Sequence, residues 1–133
     1  MAYRGRVPYI LHLSSELGLR GGERQVLLLA AGLAARGVAQ TVATPAGSDL
    51  AARSTAPDRT LLPLRPRPVL HPHTLLRLVR WLRAHPGTVA HAHTSPTLTL
   101  VSVARRLAPA TVVHTRRVAF PLRTGRKYRT AAD

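Results

Sequence analysis

The segment Ile10–Leu29 constrains the fold more than any other part of the chain. It reads Ile-Leu-His-Leu-Ser-Ser-Glu-Leu-Gly-Leu-Arg-Gly-Gly-Glu-Arg-Gln-Val-Leu-Leu-Leu. An apolar strand runs into a glycine-bearing loop, and the loop opens onto an amphipathic helix. A helix N-terminus presents unpaired N–H groups and about half a positive charge, so it favours anions. Gly21 and Gly22 let a ligand come close to the backbone there. The segment therefore predicts the first turn of a Rossmann-like unit with a cradle for phosphate or sugar phosphate. Glycine before a helix is also ordinary capping chemistry.

The dinucleotide version of that unit is disfavoured. The spacing is Gly18-x-x-Gly21-Gly22 rather than G-x-G-x-x-G. A nicotinamide site also wants an acid at the end of the second strand to hold the ribose. Here that strand ends Val42-Ala43-Thr44-Pro45-Ala46-Gly47, without one.

Strand and helix patterns alternate along the rest of the chain, which implies a parallel sheet covered by helices. Strands are predicted over 9–13, 39–44, 59–64, 88–92 and 111–114. Helices are predicted over 23–36, 49–54, 73–85 and 96–107. Gly37 reads as a C′ residue, and Ser48 and Ser95 read as N-caps. Val26, Leu29, Ala30 and Leu33 make the apolar stripe of the first long helix; Leu75, Leu78, Val79 and Leu82 make that of the third. The stretch Arg65–Pro72 is proline-rich and reads as an exposed loop.

The 133 residues suffice for one domain with a real core. There is no cysteine, which excludes a disulfide framework, a thiolate metal site and a cysteine nucleophile. The N-terminus lacks the apolar region of a signal peptide, and the longest apolar run is about half a bilayer span. A cytoplasmic location is expected. The net charge of +15 is almost all arginine. Abundant Arg, Ala, Leu and Pro match a GC-rich genome, which accounts for much of it. Aromatic residues are scattered rather than interleaved with base, so nucleic acid is not expected as a partner. Arg77, Arg80 and Arg83 share a helix face with Trp81 at its flank. A solvated face is the plainer reading. Peripheral contact with an anionic membrane is the sharper one.

In a doubly wound sheet of order 3-2-1-4-5, ligands sit outside the C-terminal strand ends. Those ends carry His12, His91-Ala-His93 and His114, with Ser14-Ser15 nearby, and could converge on one crevice. His12 is expected to be a satisfied core histidine. His93 is preferred over His91 as the one that reaches ligand. Glu16 is the only acid placed to approach it. A metal held by His12, His93 and His114 lacks a nearby carboxylate, and no metal is expected.

These residues resemble a family. Ile10–Leu29 with its Gly-Gly-Glu-Arg-Gln, the strand Thr88-Val-Ala-His-Ala-His-Thr, and Thr111-Val-Val-His-Thr-Arg-Arg occur in the order seen in family-4 glycosyltransferases of the GT-B fold. The resemblance spans about Val7–Arg129. It implies a doubly wound, Rossmann-like N-terminal half of a two-domain enzyme, with the active site in the interdomain cleft. It implies retaining transfer from a nucleotide-sugar to a glycan or lipid-linked acceptor, with no metal and no cofactor. Gly21 and Gly22 would approach the donor diphosphate or sugar, and His114 would be the catalytic residue. His93, Ser15, Glu16, Arg116 and Arg117 would bind the acceptor. The basic loop Arg116–Arg129 fits an anionic acceptor. The donor-binding half, with its Glu-x7-Glu motif, is not among the 133 residues. Residues 1–133 thus read as one incomplete domain, inactive alone. The alternatives are a nucleotide-sugar epimerase of the same fold and a non-catalytic remnant that binds anionic glycan or membrane.

Overall fold

Alternating side chains on five short strands decide how the layers form. The computed structural model describes residues 8–54, 59–65 and 67–115. Strands β1 (Tyr9–Leu13), β2 (Gln40–Pro45), β3 (Arg59–Leu64), β4 (Thr88–Ala92) and β5 (Thr111–His114) form one sheet of order β3-β2-β1-β4-β5. All four pairings are parallel, with His12 opposite Val42 on one side and His91 on the other. This is the doubly wound Rossmann-like sheet that the alternation predicts, in the predicted order.

Helices α1 (Gly21–Ala35) and α2 (Asp49–Ala52) cover one face; α3 (Pro72–Ala84) and α4 (Ser95–Ala104) cover the other. The α3/α4 face holds the larger core, where Leu11, Leu13, Ala90 and Ala92 meet Leu78, Leu82, Leu98 and Val101. Val26 and Leu50 pack on Val42 across the sheet. Burying each leucine or valine side chain contributes about 1.5–3 kcal/mol. The α1 layer ends over β1 and β2. Beyond it Val89 is half-buried and Val113 exposed on the same sheet face. Among the described residues no helix is long and apolar enough to cross a membrane.

Several helix ends differ from the sequence reading. Helix α1 starts at Gly21, not Glu23, so Gly21 and Gly22 form its first turn rather than a loop. Glu23 reaches back to accept the Arg20 N–H at 2.9 Å, which sets the start two residues earlier. Leu29 is partly exposed rather than buried, and Leu28 is 67% exposed. Thr94, not Ser95, is the N-cap of α4, because Thr97 Oγ1 accepts the Thr94 N–H. The other two signals stand. Gly37 has φ +77°, and Ser48 Oγ accepts the Ala51 N–H at 3.0 Å.

Trp81, at the flank of the arginine face, is half-buried rather than directed at solvent. It packs against the core, stacked on His85 at 4.0 Å and edge-on to Tyr9 at 5.5 Å. Arg77 donates to the Pro63 carbonyl at 3.3 Å, and Arg83 donates to that of Leu107 at 3.0 Å.

Candidate functional site

Parallel strands end together, so the segments that leave β1, β3 and β4 gather along one edge of the sheet. A crevice of about 440 Å³ opens there. Ser15, Glu16, Gly18 and Arg20 line it from the β1–α1 connection, Arg67 from the β3–α3 connection, and Pro96 from the start of α4. Arg20, Arg67 and Glu16 thus line a space that suits an anionic or hydroxyl-rich ligand.

The crevice wall is held by hydroxyl groups. Thr94 Oγ1 shares hydrogen bonds with Ser15 Oγ and Thr97 Oγ1, each at 2.9 Å. The His93 N–H donates to the Leu13 carbonyl at 2.9 Å, extending the β1–β4 ladder by one residue. The Asp49 N–H donates to the Leu17 carbonyl at 2.9 Å and ties the β1–α1 connection to α2. Ser14 Oγ is buried at the end of β1 without a partner among the described residues.

The histidines divide differently from the expectation of a single convergence. His12, His91 and His93 lie together on the α1 side of the sheet. His12 Nδ1 is 3.3 Å from His93 Nε2, and the rings of His91 and His93 stack at 3.9 Å. His114 is registered with Ala92, whose side chain faces α3 and α4, so it points to the other face. Its Nδ1–H donates to the Ala92 carbonyl at 3.1 Å. The set considered for a metal, with His114 as third member, is therefore not the set that the fold assembles. His91 takes that place. Its signal lay in the i, i+2 spacing with His93 and in the expected β1–β4 adjacency, but neither gives the register that sets His91 opposite His12.

A buried relay fixes His12, which is fully enclosed as a core histidine should be. Gln40 Nε2 donates to the Ala30 carbonyl at 2.7 Å, so its Oε1 faces His12 and accepts Nε2–H at 2.9 Å. His12 Nδ1 is then the acceptor for His93 Nε2–H. Gln40→Leu should leave the buried His12 N–H without its acceptor, at a cost of about 1–3 kcal/mol. Urea unfolding of the purified chain checks this; an unchanged midpoint would remove the relay from the stability of the domain.

Of the other predicted residues, Ser15 and Glu16 line the crevice, and Gly21 and Gly22 stand at the helix start beyond Arg20. Arg116 and Arg117 lie outside the described residues. Arg20 and Arg67 were missed: Arg67 sits in a stretch that reads as exposed linker, yet its neighbour Val69 is buried and brings the stretch against the domain.

Comparison with known proteins gives one result that bears on this edge. A family model described as Glycosyltransferase Family 4 matches residues 19–132. No curated protein and no solved structure matches the chain.

Proposed function

Because the chain belongs to glycosyltransferase family 4, we propose that it forms the acceptor side of a retaining transfer from a nucleotide-sugar to an anionic glycan or lipid-linked acceptor. Family membership makes it a glycosyltransferase-type domain, with a sugar donor and an acceptor as its general ligands. The observation that carries the finer reading is the crevice, where Arg20 and Arg67 meet Ser15 and Glu16. Guanidinium groups match phosphate oxygens in pairs, and the carboxylate and hydroxyl accept from sugar hydroxyls.

The remaining roles follow from position. Gly21 and Gly22 leave the first turn of α1 open to a donor diphosphate. Glu23 already places one negative charge in that turn, so the diphosphate meets backbone N–H groups more than net charge. In neutral His114, with Nδ1–H donated to Ala92, Nε2 carries the lone pair and accepts from the transferred sugar or the acceptor. His93 serves the acceptor side by fixing the backbone beside Thr94. Arg116 and Arg117 extend the basic wall. No cofactor takes part in this reading. Location is cytoplasmic, with the arginines of α3 available for peripheral contact with anionic lipid. The epimerase reading has no observation of its own here.

Titration of the purified chain with a phosphorylated oligosaccharide, and with a polyprenyl-phosphate-linked sugar in detergent, tests the proposal. Saturable binding is expected, weakened about tenfold by Arg67→Glu, or roughly 1.4 kcal/mol. Arg36→Glu, at the far end of α1, should bind as the parent does. Absence of saturable binding to both probes, or an equal loss in the two variants, would sink the acceptor assignment.

A further inference from the structure

Three imidazoles gathered inside a sheet call for an explanation that sugar transfer does not supply. His12 and His93 are buried and His91 is half-buried, and each can offer a ring nitrogen within 4.8 Å of the others. We infer that His12, His91 and His93 form a binding site for a divalent transition-metal ion of the zinc class. This goes beyond the transfer reading and against the expectation of no metal. That expectation rested on a missing carboxylate, and three imidazoles need none.

The geometry supports the inference at two levels. A tetrahedral ion about 2.0–2.1 Å from each nitrogen places neighbouring ligand atoms about 3.3–3.4 Å apart. His12 Nδ1 and His93 Nε2 already stand 3.3 Å apart. His91 must close by at most about 1.5 Å to reach the same spacing. His91 is the half-buried member of the three, so closing on the ion falls to it rather than to the buried His12 and His93. Partners of the kind that orient ligating histidines are also in place. His12 Nε2–H is held by Gln40, itself anchored on Ala30, and His91 Nε2 lies 2.5 Å from Thr115 Oγ1.

The donor set selects the class of ion. Imidazole nitrogen suits zinc, nickel, copper and cobalt, whereas magnesium and calcium require oxygen ligands, of which the cluster offers no carboxylate. The ion replaces the proton that His93 Nε2 shares with His12 Nδ1, and neutral His93 then carries its proton on Nδ1. In place of one hydrogen bond, the ion joins the C-terminal ends of β1 and β4, next to the crevice.

The test uses the untagged, metal-free 133-residue chain. Titration with Zn²⁺ should saturate at a single equivalent, and Co²⁺ should give the visible absorption bands of a tetrahedral nitrogen site. Zn²⁺ should raise the thermal unfolding midpoint, and Mg²⁺ should not. His91→Ala should weaken Zn²⁺ binding at least tenfold while keeping the circular dichroism of the parent. His93→Asn, which retains a hydrogen-bonding side chain, should do the same and serves if the first variant does not fold. His73→Ala, exposed on α3, should bind as the parent does. No stoichiometric binding, or an affinity equal to the parent's in both cluster variants, overturns the site and leaves a hydrogen-bonded histidine relay.

Discussion

Gly21→Val is expected to cut sugar transfer by about 100-fold in an enzyme that joins this domain to a donor-binding domain, while the fold survives. The two halves of that expectation rest on different observations. A Cβ built on Gly21 meets no heavy atom within 4 Å, and its backbone is ordinary helix rather than the left-handed region that needs glycine. Valine also has the better helix propensity, so stability should stay level or rise by a few tenths of a kcal/mol. Cα–Cβ bonds in a helix lean toward its N-terminus, so the added methyl groups extend toward the end where the first α1 N–H groups lack helical partners. A displacement of about 1 Å there is enough for a 100-fold loss. Steady-state kinetics with a nucleotide-sugar donor, together with a urea melt, separate the two. Parent-like kinetics in a folded variant would take the helix start out of donor binding.

The strands were the legible part of this fold, and the reason is physical. Short apolar runs such as Tyr9–Leu13 and Thr88–Ala92 start directly after a proline or glycine, Pro8 and Gly87, which ends whatever precedes them. β1, β3, β4 and β5 therefore fall where the sequence puts them. Helix starts were less legible because several residues compete to cap them. Thr94 and Ser95 are both good caps, and the choice was made by Thr97, three residues after Thr94. The site was half legible. Ser15 and Glu16 follow β1 directly and had to lie at its C-terminal edge. Grouping His91 with His12 instead required the lateral register of β1 against β4, a long-range property that no local pattern encodes. Arg67 was hidden for a similar reason: its place depends on how the β3–α3 connection folds back, not on its own proline-rich composition.

Leu98→Ala should cost about 2–5 kcal/mol, through the lost transfer energy of the side chain and the cavity left behind. Leu98 is fully buried in α4, in the larger core layer shared with α3. For a domain of about 5–15 kcal/mol total stability, this is a large fraction. With a urea slope of about 1–3 kcal/mol per molar, the midpoint should fall by on the order of 1–2 M. Leu28→Ala, on the exposed face of α1, should stay within about 0.5 kcal/mol. The pair calibrates the core against the surface. Equal shifts in the two variants would mean that α4 is not packed as described. Because Thr94 caps α4, loosening the helix should also weaken the Ser15–Thr94 contact at the crevice wall.

The buried Gln40 amide has a role in folding as well as in the folded state. Strands rich in Val, Ala and Leu pair almost equally well when slid past one another, and alternation turns a slip by one residue into an exchange of faces. If β2 slipped by one position against β1, Gln40 would enter the apolar layer beneath α3 and α4. Its amide would find neither Ala30 nor His12 there. The slipped sheet would hold an unsatisfied amide and an orphaned imidazole N–H, each costing about 1–3 kcal/mol. One polar side chain at the start of a strand thus acts as a proofreader of alignment, rejecting mispaired sheets that hydrophobic burial alone would tolerate.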